Sequence, residues 1–133
     1  MNDIGDMLWS RVQQILGKFS ESILEMDRGL SCNVARLAGG AFLLRGYLAI
    51  ENGENEEVAI FVSVQRDEEH VVIESDVGFE LGAVIADGPS VSIFSPVLCP
   101  TIDRGFEAWI EAFSDFLESN EEIIKSAVNR GRP

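Results

Sequence analysis

Apolar residues recur in two different rhythms along the chain, and the change of rhythm divides it into three stretches. From residue 3 to 27, Ile4, Met7, Leu8, Val12, Ile15, Leu16, Phe19, Ile23 and Met26 fall at helical intervals, which set one stripe along an α-helix. Asn2 or Asp3 is placed to cap its start. Gly17 interrupts it, at a cost of about 1 kcal/mol relative to Ala. Gly29 stands where a C′ glycine would close it.

From residue 30 to 96 the period shortens to two. Ser31–Ala38 reads as a first strand, Gly39-Gly40 as a hairpin signal, and Ala41–Glu51 as a long central strand with apolar residues on both faces. After the Asn52-Gly53 turn, Val58, Ile60, Val62 and Val64 alternate with Ala59, Phe61, Ser63 and Gln65. Arg66–Glu69 is a turn. His70–Asp76 is a fourth strand, Phe79–Ala86 a fifth, and Val91–Ser95 a sixth, set between Asp87-Gly88-Pro89 and Pro96. Short connections between successive strands predict an antiparallel meander.

Helical period returns after Pro100, starting at Thr101 or Asp103. Ile102, Phe106, Trp109, Ile110, Phe113, Phe116 and Leu117 form one face. Ser119-Asn120-Glu121-Glu122 matches a capping box, which predicts a restart with Ile123, Ile124, Ala127 and Val128 continuing the core face up to Gly131. The expectation is a single α+β domain over residues 1–133: an antiparallel meander of about six strands, with N-terminal and C-terminal helices on one face. Arg130–Pro133 reads as a frayed tail.

The 133 residues are 46% hydrophobic, enough for a core without disulfides or metals. Cys32 and Cys99 form no CxxC pair and read as reduced thiols in or near strands. Met1–Asp6 lacks the basic and apolar regions of a signal peptide, and no run approaches the roughly 20 apolar residues of a membrane helix. The expected location is the cytoplasm, away from membranes.

Charge changes the picture most. Twenty-three acidic residues against ten basic give a net charge of −13, which repels nucleic acid and anionic membranes and attracts basic proteins. In the C-terminal helix Glu107, Glu111, Asp115, Glu118 and Glu122 recur at spacings of four, four, three and four, with no basic residue between Arg104 and Lys125. Like charges at i,i+4 oppose helix stability, so the run points to a partner. Two turns are also acidic: Glu51, Glu54, Glu56 and Glu57 crowd one, Asp67, Glu68 and Glu69 the next. Successive hairpin turns put these at opposite ends of the sheet.

Catalytic chemistry is not evident. His70 is the only histidine, no G-x-S-x-G is present, and no phosphate loop, calcium loop or zinc cluster occurs. Glu74 and Asp76 share one strand face and Glu80 follows. They could hold a divalent metal, but a solvated sheet face accounts for them more simply. The chain reads as neither an enzyme nor a cofactor protein.

In size, acidity and the Glu107–Glu122 face the chain resembles bacterial immunity proteins. That resemblance implies a stoichiometric inhibitor that occludes a basic toxin domain, with Glu107, Glu111, Asp115, Glu118 and Glu122, then Glu54, Glu56, Glu57, Asp67, Glu68 and Glu69, contacting the partner. The Met7–Met26 helix and acidic C-terminal helix also look similar to type III secretion chaperones, which implies a dimer holding an effector segment. Those chaperones place a dimerising helix between strands, whereas residues 51–96 here carry strand and turn signals.

Overall fold

The computed structural model describes residues 4–37, 40, 42–54, 56–79, 82–95 and 104–130. Helix α1 (Ile4–Met26) leads into β1 (Ser31–Arg36), β2 (Phe42–Glu51), β3 (Val58–Asp67), β4 (His70–Phe79), β5 (Val84–Asp87) and β6 (Val91–Phe94); α2 (Arg104–Ser119) and α3 (Glu121–Arg130) follow. The fold is α+β on a six-strand antiparallel sheet, as the two rhythms predict. The expected caps Asn2, Asp3, Thr101 and Asp103 lie outside the described residues, as do Gly39, Glu80, Pro96, Cys99, Pro100 and the 131–133 tail.

The strands follow chain order from β1 to β5, and β6 returns to β4. Asp76 pairs with Asp87 and Ile73 with Val91. A step of three residues on β4 therefore meets a step of four on its neighbour. β5 and β6 act as one edge strand interrupted by a bulge, a common device at sheet edges. Pro89, which has no N–H to give a ladder, sits in the interruption. Its carbonyl accepts from Ser75 Oγ and from Trp109 Nε1, each at 2.9 Å.

β4 extends further than expected because Val71, Ile73, Ser75, Val77 and Phe79 all keep the inward alternation. The chain turns only after Phe79. Phe79 N–H donates to the Ala83 carbonyl and Gly82, at φ 99°, donates to Phe79. The fifth strand accordingly begins at Val84.

Leu44, Leu48 and Ile50 of β2 and Val58, Ile60, Val62 and Val64 of β3 face the same way as that β4 row. They join one buried cluster with Leu8, Val12, Leu16 and Ile23 of α1, Phe113 and Leu117 of α2, and Ile124 and Val128 of α3. All three helices thus cover one face. Within the inward rows, Gly46, Val62 and Ser75 form one rung across the sheet. A Cβ on Gly46 would collide with the Trp9 ring, so α1 is seated over the missing side chain. On the other flank Trp109 stacks on Phe113 with centroids 4.8 Å apart and shares the Pro89 carbonyl with Ser75.

Helix ends depart from the sequence reading in detail. Gly29 is not among the positive-φ glycines; α1 stops because Asp27 Oδ1 takes the Gly29 N–H at 3.0 Å. α3 restarts at Glu121 as expected, and Asn120 holds the break by donating from Nδ2 to the Phe116 carbonyl. Ile123, expected in the core, is 52% exposed, since the restart turns Ile124 and Val128 inward instead.

Two glycine-to-alanine changes should move stability in opposite directions. Gly46→Ala drives Trp9 off the sheet and should destabilise by about 1–3 kcal/mol. Gly17→Ala meets nothing within 4 Å and should stabilise by about 0.5–1 kcal/mol through helix propensity. Urea denaturation of both variants checks the signs.

Candidate functional site: an acidic cleft between the helices

α1 and α2 lie side by side and run in the same direction. Arg11 pairs with Glu107 near the start of α2, and Ser22 Oγ donates to Glu121 Oε1 just beyond its end, at 2.6 Å. Around the second of these ties lies an open cleft of about 670 Å³. Ile15 and Phe19 from α1 and Leu117 from α2 give it an apolar floor. Glu21 and Glu25 from α1, Glu118 from α2 and Glu121 from α3 stand around it, with Lys18 as the one basic residue among its lining.

Local structure explains each placement. Glu21 and Glu25 are one helical turn apart, beside the buried stripe that includes Phe19 and Ile23. Glu118 follows buried Leu117 and points away from the core. The break at Asn120 re-aims the chain so that Glu121 reaches Ser22. Four carboxylates above apolar walls concentrate negative potential, because low-dielectric surfaces focus field lines into a cleft.

The structure distributes the predicted partner residues unevenly. Glu118 lines the cleft. Glu111 and Asp115 are exposed on α2 outside its lining, and Glu122 is exposed on α3, beyond the break. Glu107 is committed within the chain: Arg11 donates to both its oxygens, at 2.6 and 2.8 Å. That hydrogen bond, with the attraction of the guanidinium, holds the Glu107 carboxyl below the usual carboxylate range. This pair and Arg36–Asp6, at 2.6 Å, fasten the helical layer.

The acidic turns flank β3 at its two ends. Nine residues, 58–66, separate Glu57 from Asp67, roughly 30 Å at the usual rise, so they form no single patch. Glu54 is exposed and donates its N–H to Asn52 Oδ1; Glu56 and Glu57 are half-buried. Asp67, Glu68 and Glu69 are exposed, and Glu68 adopts a left-handed φ of 54°.

Glu74 and Asp76 do share the outer face of β4, and Asp87 stands directly opposite Asp76. Burial, then Asp87, then Glu74 push the Asp76 carboxyl above its ordinary value. Among the described residues no three His, Cys, Asp or Glu side chains are grouped to hold a metal ion. His70 is exposed, with its ring edge-on to Phe94 at 5.5 Å. Cys32 is half-buried, and burial pushes its thiol up, which disfavours the nucleophilic thiolate.

Sequence reasoning passed over Glu21, Glu25 and Glu121. Their signal was present as an i,i+4 acidic pair beside the first apolar stripe and an acid next to the helix break. Only the parallel docking of α1 on α2 brings them to Glu118. No family model matches the chain, and neither a curated protein nor a solved structure matches it. Among the described residues no helix is long and apolar enough to cross a membrane.

The two shifted carboxyls should give opposite pH signatures. Asp76 has a raised folded-state value, so its penalty is absent in acid and develops as pH rises through the carboxylate range. Asp76→Asn should therefore be more stable than the parent at neutral pH, with the difference closing in acid. Glu107 has a lowered value, so its contribution is present at neutral pH and is lost as pH falls through that value. Glu107→Gln should be the less stable protein at neutral pH, again converging in acid. Denaturation midpoints across the acid range check both.

Proposed function

We propose that this protein is a stoichiometric binder of a basic protein, most concretely an immunity protein that neutralises a toxin domain by occluding its cationic cleft. The observation that carries this reading is the acidic cleft itself: four carboxylates around an apolar floor, on a chain of net charge −13. Lys and Arg side chains fit such a surface because their stems lie along apolar groups while their heads meet carboxylates. A carboxylate layer competes with anionic substrates for those same cationic groups.

Glu111, Asp115 and Glu122 extend the negative field beside the cleft, and the wider charge steers encounter. Glu107 belongs to the scaffold of the site, since its pair with Arg11 ties the start of α2 to α1. Occlusion of this kind requires no bond-making step from the protein.

The test is affinity capture from the source lysate at low and high salt, followed by association kinetics with the captured basic protein. Replacing Glu21, Glu25, Glu118 and Glu121 by Gln should slow association by about tenfold or more at low salt and flatten its salt dependence. Replacing Glu54, Asp67 and Glu68 should change the rate by no more than about twofold. Equal effects from both sets, or none from the first, would sink the proposal.

A further inference from the structure

The sheet face turned away from the helices carries a second, independent pattern. Tyr47 and Phe61 are neighbours at its centre, with ring centroids 6.0 Å apart. Phe61 is 41% exposed, and Val84 and Phe94 on the same face are 58% and 61% exposed. Ala49, Ala59 and Gly78 form a rung beside the aromatic pair and leave it low and flat. All described helices join the core cluster on the opposite face. Val84 and Phe94 stand at opposite ends of the edge, opposite Gly78 and His70 of β4, so the apolar centre of this face is the Tyr47–Phe61 pair.

The charges on this face are arranged by rung. Arg45, Ser63 and Glu74 lie in one row across β2, β3 and β4; Tyr47, Phe61 and Asp76 lie in the next. Arg45 is exposed, its guanidinium over the Phe42 ring at 4.7 Å. In these two rungs positive charge sits on the β2 side of β3, while Glu74, Asp76 and the opposing Asp87 put negative charge on the β4 side; Glu51 stands on the same face at the far end of β2.

We propose that this face is the interface with a second copy of the chain, packed sheet to sheet about a two-fold axis that runs along β3. Such an axis maps each rung onto itself with its β2 and β4 ends exchanged. Arg45 then faces Glu74 of the second copy, the Tyr47 hydroxyl faces Asp76 of the second copy, and the two Phe61 rings meet on the axis. An axis across the strands would instead set the carboxylates of one β4 against those of the other. Charge therefore selects the axis.

The dimensions suit the pairing. Stacked sheets lie about 10 Å apart, a gap that Phe61 fills from both sides and that Arg45 and Glu74 can bridge. Three strands of ten residues, six residues of β1 and four each of β5 and β6, at about 4.8 Å between strands and about 3.3 Å per residue, give a footprint of roughly 700 Å² per copy, within the range of a standard stable interface. Repulsion between two chains of net charge −13 opposes association, but the acidic cleft lies on the far side of each copy, and charges beyond about 8 Å are largely screened at physiological salt. The dimer leaves both clefts facing outward. This inference does not rest on the proposed function.

Sedimentation equilibrium tests it directly. The parent protein should show twice the 14.6 kDa chain mass at about 10–100 µM. Arg45→Glu and Glu74→Arg alter exposed side chains, so both should fold normally, and each alone should weaken the dimer by at least about tenfold. An equimolar mixture of the two variants should recover it, because the mixed dimer restores two opposite-charge pairs. A parent protein that stays monomeric at about 100 µM would overturn the proposal. So would a dimer insensitive to both substitutions, or a mixture that fails to re-associate.

Discussion

One rung of the sheet, Gly46–Val62–Ser75, sets where the helices sit. The inward rows of β2, β3 and β4 are otherwise large and apolar, and the two small residues flank Val62. Trp9 of α1 rests over Gly46, and Trp109 of α2 reaches the Pro89 carbonyl that Ser75 also holds. The two tryptophans key the two helices to neighbouring positions on one face, side by side and in the same direction. These anchors seat α1 over β1 and β2 and α2 toward the β6 edge, and the cleft lies where the two helices meet. The edge bulge belongs to the same arrangement, since only an interrupted strand can turn the Pro89 carbonyl inward to both donors.

Much of this was legible in the residues. Period-two runs located the strands, the Ser119–Glu122 pattern located the restart between α2 and α3, and the Asn52-Gly53 turn took its positive φ at Gly53. What escaped prediction depended on contacts between distant segments. The β5–β6 bulge follows from a proline carbonyl captured by a serine and a tryptophan 14 and 20 residues away in sequence. Glu107 reads as a free acidic position until Arg11, 96 residues earlier, is placed beside it. The cleft escaped for the same reason: Glu25 and Glu118 become neighbours only through helix docking, which no local spacing encodes.

The described surface divides its work by face. Carboxylates gather around the helical cleft and at the turns, where repulsion is relieved by water and salt. The opposite face keeps aromatic and small residues at its centre and divides its charges by strand. A chain with one helical layer on a twisted antiparallel sheet leaves such a face open by construction, and alternation lets each face be chosen independently. Partner capture on one side and self-association on the other are therefore compatible in one small fold.

Under the proposed function, the helical cleft, rather than the acidic surface at large, receives cationic groups. Titrating isotope-labelled protein with a short peptide of alternating Lys and Arg, followed by amide chemical shifts, tests it most directly. Shifts should concentrate at Lys18–Glu25 of α1 and Ser114–Glu121 around the end of α2, and fade with added salt. Shifts of equal size at Glu54 and Asp67–Glu69, or an unperturbed cleft, would contradict it.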